Sequence, residues 1–136
     1  SHDSIVCLVK DANVLFASDT VMPIPYFVDG KFDDFVKSLK RLRDQSFENI
    51  IQGHGEVVLR GEVQSKISSD LDYLGKLEKA VVKALADNIE NIADHISIEA
   101  CGKSPILLNG AVKQLHRQNV ITLVKQRKED ALLQAE

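Results

Sequence analysis

The sequence predicts an α/β fold that passes into a helical C-terminal region. Three observations carry this expectation. Two short apolar runs stand near the start, at residues 4–9 and 14–17. An apolar stripe at helical spacing runs from Phe32 to Leu42 and is followed by a β-rich run at residues 49–52. A much longer helical stripe then extends from Val63 to Leu85. Strand, strand, helix, strand is the order of an α/β unit. The 136 residues are 44% hydrophobic and 27% charged, the balance of an ordinary globular domain. The formal charge is −3, so a sequence-independent nucleic-acid binder is not expected. No run approaches the roughly 18 apolar residues of a membrane-spanning helix, so no membrane partner is expected either. Cys7 and Cys101 are far apart and make no metal-binding pair. They read as buried, reduced thiols of a cytoplasmic protein.

Each element has its own justification. Residues 4–9 and 14–17 flank the polar cluster Lys10-Asp11-Ala12-Asn13, which predicts a β-hairpin. Both runs are nearly continuous in apolar character, so the sheet should be covered on at least one face. Pro23 and Pro25 lack amide protons and disfavour helix in the residue before each, so residues 21–30 are a loop. Phe32, Phe35, Val36, Leu39 and Leu42 make one face of a helix over 32–43. Lys37, Lys40, Arg41 and Arg43 occupy its solvated side and suit its C-terminal dipole. In the second half, Val63, Ile67, Leu71, Leu74, Leu77, Val81 and Leu85 recur in steps of three and four, which is helix over about 62–86 with a weak spot at Gly75. Residues 88–98 are expected to form another helix. Asn109 can cap a last helix over about 110–133, with Val112, Leu115, Val120, Leu123 and Val124 towards the core and a charged, fraying end. The domain division follows as 1–60 and 61–136.

Three short stretches could carry chemistry. They are Ser1-His2-Asp3-Ser4-Ile5, Leu15-Phe16-Ala17-Ser18-Asp19 and Gly53-His54-Gly55. An Asp after a strand is ordinarily a turn or cap residue. A histidine between glycines is ordinarily part of a tight turn, although the glycines also let an imidazole approach another group closely. Carboxylate and imidazole at the ends of neighbouring strands can converge on a first-row metal, and zinc suits them best. Two ligands are still less than a complete site. His95 and His116 lie in helical segments and read as structural or solvent-facing.

In their order and spacing these stretches resemble the C-terminal half of the metallo-β-lactamase superfamily. There a ligand histidine precedes a Ser/Thr-x-Asp/Gly-Ser strand, a hairpin partner ends in Leu-Phe-Ala-Gly-Asp, and a helix and strand end in Gly-His-Gly. The likeness spans about residues 1–86, and the remaining tail fits the helical C-terminal region of many members. It implies half of an αββα sandwich followed by a helical tail. It also implies a metal-dependent hydrolase holding two divalent ions, zinc most suitably, with iron or manganese also compatible. In such an enzyme a metal-bound hydroxide cleaves an ester, thioester, lactone, amide or phosphoester of a small-molecule substrate.

Carried onto this sequence, the resemblance makes Asp19 the bridging metal ligand and His54 a ligand of one ion. The matching ligand histidine would precede Ser1. His2 would then be a neighbour of the site, touching ligands or substrate, with a direct metal ligand as the alternative. The loop over 21–30, with Pro23, Pro25, Tyr26 and Phe27, would wall the substrate pocket, or else simply cover the core. Ser18 stands where the family has Gly, and the family's His-x-His-x-Asp-His signature is absent from these residues. A chain that opens directly into a strand reads as the middle of a larger protein. The missing ligands would then come from the N-terminal half of the same protein or from a partner chain. The alternatives are a half-domain completed by such a partner and a non-catalytic interaction module.

Overall fold

The computed structural model describes residues 7–11, 13–18, 22–45, 49–52, 58 and 60–135. β1 (Cys7–Val9) and β2 (Val14–Ser18) form the expected hairpin, pairing Cys7 with Phe16, Leu8 with Leu15 and Val9 with Val14. Asn13 turns the chain at φ 50°, a left-handed conformation that its short polar side chain tolerates. β3 (Asn49–Gln52) lies parallel on the other edge of β2, giving the order β1-β2-β3. Parallel pairing needs a crossover, and α1 (Phe32–Arg43) lies within it. The bounds of α1 and β3 match the sequence expectation. Lys37, Lys40, Arg41 and Arg43 are exposed on α1, as the charge pattern predicted.

Among the described residues the sheet packs its core on one face. Leu15 and Ile50 face each other across β2 and β3 and are fully buried, in one core with Leu39 and Leu42 of α1. The opposite face carries Cys7, Val9, Val14, Phe16 and Ile51 by strand alternation. Phe16 is 44% exposed and Val9 42% exposed there. Cys7 is also exposed, which corrects the expectation of two buried thiols; Cys101 is buried. Its sulfur is pushed up to about 11 by burial, so it stays protonated near neutral pH.

α2 (Val63–Ala86) packs against α1 and against α3 (Val112–Ala135). Its stripe is the spine of the core, with Val63, Ile67, Leu74, Leu77 and Val81 buried and Leu71 and Leu85 partly so. Residues of β2, β3 and all three helices share one continuous buried cluster.

Three expectations for the second half are corrected. No helix spans 88–98. Asn88 is left-handed at φ 53°, and Ile89 N–H bonds Ala84 C=O, so α2 ends there in a Schellman-type cap. Asn91 is left-handed too, and only the short 3-10 turns Ile92–Asp94 and Glu99–Cys101 follow. Burial of Ile92, Ile96 and Ile98 produced the apolar pattern without a helix. Asn109 does not cap α3. It sits at φ 54° between left-handed Leu108 and Gly110 in the turn Leu107–Gly110, unlike the extended residue of an N-cap. Finally, α3 extends to Ala135, past the expected end near Leu133, with Leu132 and Leu133 exposed there. No helix among the described residues is long and apolar enough to cross a membrane.

Candidate functional site

Asp19, His54 and His2, the three candidate site residues, lie outside the described residues. The frame around them is described. β2 and β3 run the same way, and their last paired residues are Ser18 and Gln52. Neighbouring strands stand about 4.8 Å apart. Asp19 is the residue after Ser18, and His54 the second after Gln52. The pairing slips between Phe16 and Ser18, so β2 carries one extra residue just before its end. Such bulges re-aim a strand terminus. Beyond Gln52 the chain returns at Val58, whose N–H and C=O both pair with Ile50 at 2.8 and 2.9 Å. Residues 53–57, which include His54, lie outside the described residues, between Gln52 and that reciprocal pair.

The segment after Asp19 is a core element. Met22, Ile24, Pro25 and Phe27 are buried. The Phe27 ring meets Phe32 edge-on at 5.2 Å and Phe35 at 6.2 Å. Phe27 thus packs inward, which agrees with the core-covering alternative for that residue and not with the pocket wall. Pro23 and Tyr26 remain part-exposed.

A polar network underlies this segment, and the sequence reading missed it. Asn119 is fully buried; its Nδ2 donates to Pro25 C=O at 2.6 Å and to Tyr73 Oη at 3.1 Å. Its Oδ1 accepts from Phe27 N–H at 3.4 Å. Tyr73 Oη and His116 Nδ1 are 2.9 Å apart, and His116 Nε2 lies 2.9 Å from Ile96 C=O. A carbonyl only accepts, so Nε2 carries the proton, Nδ1 is the acceptor and Tyr73 donates to it. Burial lowers the pKa of His116 and raises that of Tyr73, which keeps both neutral. His116 is therefore structural, as expected, and His95 is exposed.

Beside this network, Asp70 is only 1% exposed and receives two lysines. Lys66 Nζ lies 2.6 and 2.8 Å from its two oxygens, and Lys103 Nζ 2.8 Å from Oδ1. Lys66 also donates to Met22 C=O at 2.5 Å, and Lys103 to Ser69 Oγ at 2.9 Å. Burial pulls the Lys66 pKa down, while Asp70 opposes that shift. A signal for these residues existed. Asp70 falls three positions after Ile67, and His116 and Asn119 fall within the α3 stripe, so each is a polar residue in an apolar register.

Among the described residues no group of three or more His, Cys, Asp or Glu could hold a metal ion. A metal would depend on Asp19 and His54, whose carboxylate and imidazole suit zinc, and on ligands from beyond these residues.

No family model matches the chain. It is similar to the "Beta-lactamase-like protein 2 homolog" of Caenorhabditis elegans, with 22% identity over 126 residues. That alignment covers 93% of this chain but 41% of the relative, so the chain spans about two-fifths of that protein's length. The likeness supports a β-lactamase-like relationship at the level of family only.

Proposed function

We propose that the chain is the C-terminal part of a metal-dependent hydrolase of the metallo-β-lactamase type. One observation carries this reading: β2 and β3 are parallel neighbours whose last pair is Ser18 with Gln52. Asp19 is the next residue after Ser18 and His54 the second after Gln52, so in this reading both candidate ligands follow the same end of two adjacent parallel strands. The register shift between Phe16 and Ser18, just before Asp19, is the kind of bulge that re-aims a strand end, which supports this reading. In this reading Asp19 and His54 hold divalent ions, zinc most suitably, and His2 stands beside them. Bound there, such ions activate water and polarise a scissile carbonyl or phosphoryl group. The Asp19 carboxylate offsets the charge of the ions, and the His54 imidazole serves as a neutral nitrogen donor. The fold leaves the substrate open among esters, thioesters, lactones, amides and phosphoesters.

The one-sided sheet favours a partner for the remaining ligands. Its open face carries Val9, Val14, Phe16 and Ile51, an apolar set that a second sheet would cover. In this reading the cover is the N-terminal half of the same protein, or a partner chain completing the half-domain.

The test uses the whole gene product. Asp19→Ala and His54→Ala should each strip bound metal, measured by elemental analysis after dialysis, and abolish turnover across a panel of ester, thioester and phosphoester substrates. Full metal occupancy in both variants would overturn the proposal; no bound metal in the unmodified protein would favour the non-catalytic interaction module instead.

A further inference from the structure

We infer that Lys103, Ser69 and Lys66 form a binding site for a small oxyanion, the phosphate or carboxylate group of a ligand, where α2 meets the turn that follows Glu99–Cys101. The site needs neither Asp19 nor a metal. Two lysines there share one carboxylate: Lys66 Nζ and Lys103 Nζ lie 2.6 and 2.8 Å from Asp70 Oδ1. The Asp70 side chain is 1% exposed, that of Lys103 8% and that of Lys66 16%. The cluster therefore holds one positive charge in excess, largely out of water. Buried charges are ordinarily paired, because an unpaired one has lost its hydration without compensation. Lys76 stands beside the cluster, but Asp72 pairs with it at 2.9 Å, so that pair leaves the excess unchanged.

Counting hydrogens shows which groups can receive the anion. Lys66 directs three ammonium hydrogens at three acceptors, Met22 C=O and both oxygens of Asp70. Lys103 directs two, at Asp70 Oδ1 and Ser69 Oγ. Its third hydrogen has no acceptor among the described residues. Ser69 Oγ accepts from Lys103 and keeps its own hydrogen to donate. These two donor groups stand 2.9 Å apart, and Ser69 is exposed, so a solute can reach them. Two adjacent donors backed by an excess positive charge suit two oxygens of one oxyanion. The local chain brings them together. Residues 66, 69 and 70 fall on one face of α2, three and four apart. Gly102 is left-handed at φ 85° and ends the Glu99–Cys101 turn, which sends Lys103 back over α2. Lys103 N–H is held there by Ile98 C=O at 3.3 Å.

The test is made on the whole gene product, with inorganic phosphate and acetate as probes against chloride at equal ionic strength. Thermal midpoints should rise with phosphate or acetate and not with chloride, as binding to the folded state requires. The probe with the larger rise identifies the group that the site takes. Lys103→Met removes the excess charge and leaves Lys66 and Asp70 as a neutral pair, so it should fold. Its affinity for the better probe should drop about tenfold or more, the loss of one hydrogen bond to a charged group. Ser69→Ala, at an exposed position, should weaken binding by a smaller factor, and it decides the question alone if Lys103→Met does not fold. Lys40→Met, on the exposed side of α1, controls for net charge and should leave the affinity unchanged. A midpoint that rises no more in either probe than in chloride would overturn the inference. So would a rise that survives the Lys103 and Ser69 variants, as a general salting effect would, or an equal loss in Lys40→Met.

Discussion

The buried His116 is the residue whose protonation the fold most plainly forbids. Its Nδ1 accepts from Tyr73 and its Nε2 donates to Ile96, so a second proton would break the first bond. Its pKa lies below the ordinary 6.5, chiefly through burial. In the unfolded chain the same imidazole titrates near 6.5. Below that pH the unfolded state gains a proton that the folded state refuses, so the stabilisation is complete above about 6.5 and drains away as pH falls. Denaturant midpoints should therefore drop between about pH 7.5 and about pH 5.5, above the range where carboxylates titrate. His116→Gln should flatten that slope, and a slope unchanged by the substitution would refute the assignment. Arg127 illustrates another kind of residue-scale joint. It reaches Asp33 of α1 with both terminal nitrogens at 2.9 and 3.1 Å, Glu78 of α2 at 2.9 Å, and stacks over Phe32 at 5.3 Å. Arg127 holds Asp33 below the usual carboxylate range through that hydrogen-bonded pairing. Neither role can be read from one-dimensional spacing, because the partners of Arg127 in α1 and α2 come from distant parts of the chain.

Among the elements, α2 was the most legible. Its stripe repeats so regularly that its extent follows from periodicity, and the buried face agrees nearly residue by residue. Gly75 interrupts good helix formers on the exposed side, and a Cβ there would meet nothing within 4 Å. Gly75→Ala should accordingly stabilise the protein by about 0.5–1 kcal/mol. Equilibrium urea unfolding would register this as a higher midpoint at unchanged slope; a lower midpoint would indicate an unseen neighbour. The segment over 88–98 was illegible for a matching reason. Ile92 and Ile96 stand four residues apart, as on a helix, but left-handed Asn88 and Asn91 turn the chain there. Sequence periodicity reports which residues face the core. It does not report the φ at Asn88 and Asn91 that decides what backbone connects them.

On the scale of the whole molecule, the open sheet face separates the readings by experiment. Phe16→Asp in the isolated 136-residue chain should cost clearly less than in the whole gene product, since Phe16 is 44% exposed there. In the whole gene product the proposed N-terminal half would bury it, and the same substitution should cost about 3 kcal/mol or more. Equal, small effects in both would mean that the face stays open. The sequence by itself determined the strand–strand–helix–strand order, the long α2 stripe and the three short stretches whose order carries the family resemblance. Those are local or periodic properties, written into neighbouring residues by side-chain polarity and turn chemistry. Tertiary structure alone decided that β3 pairs in parallel with β2, bringing the exits toward Asp19 and His54 side by side. It alone decided that Asn119 and Gln126 grip a loop more than ninety residues away. Such pairings depend on which distant backbone groups burial leaves without water, and that is settled only when the chain closes on itself.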